Sequence, residues 1–256
     1  EGQDCEGVDR SEYALPYGQN EVIEALAAAN KNLVVVNISG NAVAMPWVEK
    51  VPSIMQGWFL GSESGNALAQ VIFGEVNPSG HLPFTFPVKL EDNSAHSVGE
   101  WPGARDVHYT ESIFVGYRWA DKEQLKALFP FGHGLSYTEF FYGKLKSDKR
   151  TLKEGQTLYL TVPVGNIGTR EGEEVVQLYI QRPADKEGPI QALRDYRRVK
   201  LAAGASKAVV FELTEEDFAW FNPETNRMQP LKGNYVIRIG GSSDLDAQRT
   251  LRVTLK

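Results

Sequence analysis

The sequence predicts two successive architectures: an α/β layer on a mostly parallel sheet over residues 1–138, then an all-β sandwich over 139–256. Three observations predict this. In the first half, continuous β-branched runs alternate with short helical patterns, the order that stacks helices on a parallel sheet. From about 87 to 138, turns and aromatics follow one another without a period and read as an extended connector. Beyond Tyr137 the apolar residues switch to a spacing of two, in runs separated by turn residues.

In chain order, residues 1–16 are polar and acidic, with Glu1, Asp4, Glu6, Asp9 and Glu12 against one cation, Arg10, and read as a loop. From Gln19 to Asn30, the spacing of Val22, Ile23, Leu26 and Ala29 predicts a helix with one apolar stripe, closed by Asn30. Leu33–Ile38 is continuously apolar and reads as a strand covered on both faces. Ser39–Asn41 is its exit loop, Ala42–Val48 a short helix, and Ile54–Leu60 a second buried strand. Gly61–Gly65 is another strand-exit loop, leading into a helix over Asn66–Phe73 that Gly74 stops. Asn77–Gly80 carries proline and glycine where a reversal favours them. Pro83 and Pro87 keep Leu82–Pro87 out of a central strand. With parallel strands, both exit loops lie at the carboxyl edge, where open α/β sheets bind ligands. In the second half, alternation over Leu158–Val164, Val176–Ile180, Val209–Leu213, Tyr235–Ile239 and Leu251–Leu255 marks short antiparallel strands.

Composition narrows the function classes. A net charge of −6 provides no basic surface for nucleic acid. No run of about 18 apolar residues exists, so no membrane span is expected. One cysteine, Cys5, allows no internal disulfide, and four scattered histidines show no metal-ligand spacing. Gly61–Gly65 lacks the Lys-Ser/Thr of a phosphate loop and is no dinucleotide fingerprint. Glu1–Asp4 has neither a signal-peptide pattern nor an initiator Met and reads as a start inside a longer protein.

The chemistry open to such a chain is carboxylate chemistry. A carboxyl group in a closed pocket becomes a proton donor, and glycoside hydrolysis uses two of them. Glu6, tethered between Cys5 and Gly7, is the best single candidate, with Asp9 and Arg10 able to pair and fix its loop; by spacing alone it reads first as one solvated acid in a charge run. Glu63, at the start of a helix, is the alternative acid or a loop-fixing carboxylate. Trp58 reads as core, Trp47 as half-exposed, Cys5 as a small buried residue and His133 as a hydrogen-bonded structural histidine. His81 has no acidic partner nearby in sequence.

Six motifs then stand in order: Glu6-Gly7-Val8-Asp9-Arg10, Met45-Pro46-Trp47, Trp58–Gly65, Asn77–Pro83, Val115-Gly116-Tyr117-Arg118 and Phe129–Thr138. Together they resemble the C-terminal half of glycoside hydrolase family 3, the β-glucosidase family. Asn166–Gly168, Glu173–Tyr179 and Val199–Gly204 resemble its fibronectin-type-III-like domain. The resemblance implies the C-terminal part of an (αβ)₆ sandwich followed by a seven-stranded fibronectin-III-like sandwich. It further implies a retaining, exo-acting β-glucosidase in which Glu6 is the general acid/base and no cofactor or metal takes part. The substrate would be an oligosaccharide or aryl β-glycoside. The family's nucleophile, an aspartate in a Ser-Asp-Trp-like motif, belongs to a TIM-barrel domain. Here Ser147-Asp148 precedes Lys149 and Ser243-Asp244 precedes Leu245, so that domain is expected outside this chain and this chain alone is expected to be inactive. Val8 replaces the usual aromatic and Cys5 a common glycine. The rival expectations are a β-xylosidase or arabinofuranosidase of the same family, or a non-catalytic carbohydrate-binding or scaffolding module. A periplasmic or secreted setting is expected over a cytoplasmic one.

Overall fold

A computed structural model describes residues 12–103 and 105–256, which divide into two compact units. The first comprises the described part of Glu1–Val76 with Phe86–Glu111 and Lys126–Leu128. Its helix α1, Gln19–Ala29, forms where the apolar spacing placed it, and Asn30 ends it in an extended conformation, its N–H donating to Leu26 O. The stripe is not a buried one: Ala27 packs inward, whereas Val22 and Leu26 are exposed.

Strand β1, Val34–Asn37, pairs with β2, Ser53–Gln56, in parallel register, Val34 opposite Ser53 and Asn37 opposite Gln56. The expected parallel layer is therefore present, but β1 is not covered on both faces: Val34 is exposed and Val35 and Val36 are half-buried. β2 ends at Gln56 rather than Leu60. The Gly57 N–H closes on Asn37 O at 2.8 Å, so close that a Cβ at Gly57 would meet Ile38 Cδ1 at 2.6 Å. Trp58 then turns at φ 51, which breaks the extended run.

The helix expected over Ala42–Val48 does not form. Pro46 disfavours helical backbone at Met45, and only a 3₁₀ turn, Val48–Lys50, follows. Trp47 is fully buried there, not half-exposed, and its indole N–H donates to Asn20 Oδ1 at 2.8 Å, tying this segment to α1. Helix α2, Ser64–Ile72, starts two residues earlier than its apolar pattern indicates, and Gly74 ends the turn at φ +76. The chain reverses at Phe73–Val76, with Val76 N–H bonded to Gln70 O, and Asn77–Gly80 runs on without a turn.

The second unit comprises Asn77–Thr85, Ser112–Leu125 and Phe129–Lys256. The 87–138 stretch is less featureless than its sequence indicates: α3, Ser94–Ser97, lies in the first unit and α4, Tyr117–Lys122, in the second. The sandwich strands are β3 (Phe140–Tyr142), β4 (Lys146–Ser147), β5 (Thr151–Leu152), β6 (Leu158–Asn166), β7 (Gly172–Gln181), β8 (Ala192–Leu201), β9 (Ser206–Leu213), β12 (Gly233–Gly240) and β13 (Arg249–Leu255), with a separate hairpin of β10 (Ala219–Asn222) and β11 (Arg227–Pro230). One sheet runs β5-β13-β12-β7-β8; in the other, β6 pairs with β9 and with β3 and β4. The resemblance implies seven strands, and the excess is the two-residue strands β4 and β5. Pairing is antiparallel except β13 with β5.

The alternation does what period two requires. Leu158, Leu160, Val162 and Val164 of β6 and Phe211 and Leu213 of β9 face Val176, Leu178 and Ile180 of β7 and Ile237 and Ile239 of β12. Burying each such side chain contributes about 1.5–3 kcal/mol. The outer face of β7 is covered too. The Tyr117 ring meets Tyr179 edge-on at 5.8 Å and stacks on Phe131 at 5.5 Å. Arg194 and its charged neighbours on β8 carry no clean alternation, so this edge strand escapes a pattern search.

Candidate active site

Glu6, Asp9, Arg10 and Cys5 lie outside the described residues. Among the described residues of the first unit, the polar groups gather at the carboxyl edge of β1 and β2. Parallel pairing puts both exit loops, after Asn37 and after Gln56, on this one edge. There the strands end in a knot of amides. Asn37 Nδ2 donates to Gln56 Oε1 at 2.6 Å and to Ser39 Oγ at 3.0 Å. Gln56 Nε2 donates to Ser39 O at 3.2 Å and Ser39 Oγ at 3.1 Å, and the Ser39 hydroxyl donates to Asn41 O at 2.7 Å. Asn37 and Ser39 are buried, so each bond replaces one to water, and the knot fixes Ser39–Asn41 against β2. These residues are amides and a hydroxyl that hold one another in place. Pattern reading missed them, although a polar residue closing each of two apolar runs in matched register was the available signal.

Glu63 sits exposed at the start of α2. Its carboxylate accepts from Asn66 Nδ2 at 2.5 Å rather than capping the helix backbone. With Asn66, Gln70, Phe73 and Glu75 it lines an open depression of about 480 Å³. That is a helix-start contact, with no enclosure around the acid. Trp58, expected in the core, is only half-buried and meets Phe86 edge-on at 6.0 Å.

In the second unit the fold supplies what the sequence around His81 lacked. His81 Nδ1 lies 2.7 Å from Gly132 O, and the buried Glu174, far along the chain, faces it. Glu174 accepts the Tyr142 hydroxyl at 2.8 Å, and burial holds its carboxyl above the ordinary range. Burial, then the neighbouring His81, holds His133 below its usual value; its ring stacks on Phe129 at 4.9 Å. This is a packed polar layer of the sandwich unit, structural in character. Among the described residues no group of three His, Cys, Asp or Glu could hold a metal, and no helix is long and apolar enough to cross a membrane.

Comparisons with known proteins reach 98% of the chain. Residues 1–137 match the glycosyl hydrolase family 3 C-terminal domain and 174–243 the fibronectin type III-like domain. The beta-glucosidase BoGH3A of Bacteroides ovatus is 46% identical over 94% of this chain, and the thermostable beta-glucosidase B of Acetivibrio thermocellus 41% identical over 98%. The chain spans 33% of each of these relatives. Among solved structures, a Kluyveromyces marxianus beta-glucosidase in complex with glucose matches 98% of this chain, 30% of its own, at TM-score 0.89 and 36% identity. A Bifidobacterium adolescentis GH3 beta-glucosidase matches with the same coverage of this chain, 37% of its own, and the same score and identity. With the C-terminal domain model matched over more than half its length, the chain belongs to glycoside hydrolase family 3.

Proposed function

We propose that this chain is the C-terminal portion of a retaining, exo-acting β-glucosidase, removing terminal β-D-glucosyl residues from oligosaccharides. One observation carries the reading: the family match over 1–137 includes Glu6-Gly7-Val8-Asp9-Arg10, and the relatives matched across the chain are beta-glucosidases. Glu6 protonates the departing glycosidic oxygen while an aspartate of a TIM-barrel domain outside this chain attacks the anomeric carbon. Glu6 then takes a proton from the incoming water, which releases the sugar with retained configuration. Asp9 and Arg10 hold the loop. Glu63 has no proton-transfer role in this scheme. The fibronectin-like part, residues 139–256, performs no chemistry. No cofactor is required, and the working compartment is periplasmic or extracellular.

The test is Glu6→Gln in the full-length protein, against aryl β-glucosides of graded leaving-group acidity. Loss of the proton donor should slow poor leaving groups by about 10²–10⁴-fold while the most acidic phenols, which leave unprotonated, lose far less. An equal loss across the series, or none, overturns the assignment. β-Xylosides and α-arabinofuranosides in the same assay decide between the glucosidase and its pentose-cleaving relatives.

A further inference from the structure

Every residue in this inference belongs to the β-rich unit. Strand register gathers three arginines at one end of the sandwich. Pairing of β12 with β7 matches Val236 with Gln181, so Arg182 continues opposite Tyr235, and its side chain reaches that hydroxyl. The Tyr235 hydroxyl donates to Leu231 O and also lies 3.3 Å from Phe218 O, and Arg194 donates to the next carbonyl, Ala219 O, at 2.7 Å. Arg182 and Arg194 therefore flank one backbone turn. The Arg194 guanidinium also lies 5.4 Å from the centre of the Trp220 ring. Arg118 arrives from α4: its Cζ is 6.0 Å from the Tyr117 ring, whose hydroxyl accepts from the N–H of Leu193, next to Arg194, at 3.0 Å.

Among the described residues none of Arg118, Arg182 and Arg194 is in an ion pair, and Nε of Arg182 and of Arg194 are buried without an acceptor. The two bordering acids take their hydrogen bonds from other donors, while the Asp217 charge still favours the Arg194 cation. Asp185 accepts from Gly188 N–H, Glu187 N–H and the Trp220 indole, and Asp217 from the N–H and hydroxyl of Thr214. Burial, then the neighbouring Arg118, holds the Arg194 guanidinium below its ordinary pKa. A half-buried guanidinium without a direct ion-pair partner is costly, and its planar fork fits oxyanions in a bidentate manner.

We propose that Arg118, Arg182 and Arg194 form a binding site for a tetrahedral oxyanion, phosphate or sulfate, either free or carried as an ester on a sugar. Tyr117 and Arg118 belong to a motif that the glycosidase chemistry leaves without a task, and the site stands apart from that reading because it is assayed without turnover.

The experiment is calorimetric titration and thermal melting of the full chain at ionic strength fixed with sodium chloride. The titrants are inorganic phosphate, sulfate, glucose 6-phosphate and unmodified glucose. Saturable binding of phosphate, with a rise in Tm that chloride does not reproduce, is the expected result. Arg118→Gln, a half-exposed position on a short helix, should weaken that binding by about tenfold, and Arg194→Gln by more. Tighter binding of glucose 6-phosphate than of phosphate would identify the sugar-borne form, and equal binding the free ion. The proposal is overturned by the absence of saturable binding to the wild type, or by binding that Arg118→Gln leaves unchanged. If Arg194→Gln does not fold, Arg118→Gln alone decides.

Discussion

The two units use apolar residues to opposite effect. In the sandwich, every core position of β6 from Leu158 to Val164 is sealed, and twenty-one buried apolar side chains form one cluster. In the α/β unit, Val34 of β1 and Leu26 of α1 are exposed, α2 has no buried residue, and Phe73 is 82% exposed. Yet β1 is as apolar in sequence as β6. An apolar run thus records what a segment is built to be covered by, whereas burial records what covers it within its own unit. The sandwich satisfies its pattern internally, so its stability should respond to core truncation, and the α/β unit's apolar faces should not.

The largest effect should come from Phe211→Ala. Phe211 is fully buried between the sheets, so truncation loses transfer energy and leaves a cavity, a cost of about 3–5 kcal/mol. Val34→Ala, on an exposed strand position, should cost about 0.5 kcal/mol or less. Urea unfolding monitored separately for the two units measures both; equal losses would break the contrast.

Next is Gly132→Ala, on the outer face of the sandwich. Gly132 has φ +84, and an added Cβ would overlap the Gln177 carboxamide. Gln177 cannot swing aside easily, since it is buried and accepts the Tyr179 hydroxyl. Backbone strain and displacement together should cost about 2–3 kcal/mol, read as a fall in Tm of the sandwich transition.

Where residues matched a single period, the sequence was readable. Val22, Ile23, Leu26 and Ala29 located α1, and alternation located β6, β7, β9, β12 and β13. Edges and connections were not readable, because their side chains answer to partners distant in sequence. β8 reads as a charged stretch, since Arg197, Arg198 and Lys200 face solvent and the ion partners Asp195, Glu173 and Glu171. Asn77 resembles a turn residue, but its carboxamide accepts from Ser136 and the Tyr137 N–H and donates to Glu171 O, a clamp that no local pattern announces. The motif around Glu6, which carries the proposed chemistry, lies outside the described residues. The amide knot of Asn37, Ser39 and Gln56 emerges only once parallel register sets Asn37 against Gln56.

A smaller effect, of opposite sign to ordinary acid denaturation, should come from Asp121. Burial, partly opposed by the Gln191 side-chain bond and Arg238, with Asp244 adding to it, lifts its carboxyl from 3.8 to about 6. The folded state therefore binds a proton that the unfolded state does not, between about pH 4 and 6. Stability from this group is gained as pH falls through 6 and is absent at pH 7, where the carboxylate is charged in both states. The gain should be on the order of 2 kcal/mol, discounted for partial exposure. Asp121→Asn should flatten the stability profile of the sandwich unit between pH 7 and 5. A wild-type profile already flat there would remove this difference between the units.

The smallest effect should come from Glu63→Gln, the α/β unit's counterpart to a buried acid. The exposed Glu63 carboxylate bonds only one neighbouring carboxamide, Asn66, among the described contacts, and glutamine keeps an acceptor oxygen there. What is lost is a helix N-terminal charge, worth about 0.3–1 kcal/mol when exposed and less in salt. In the full-length protein, kcat for aryl β-glucosides should stay within about twofold of wild type, across acidic and poor leaving groups alike. A selective loss on poor leaving groups would transfer the proton-donor role from Glu6 to Glu63, because only the residue that protonates the departing oxygen makes the rate depend on how much that oxygen needs the proton.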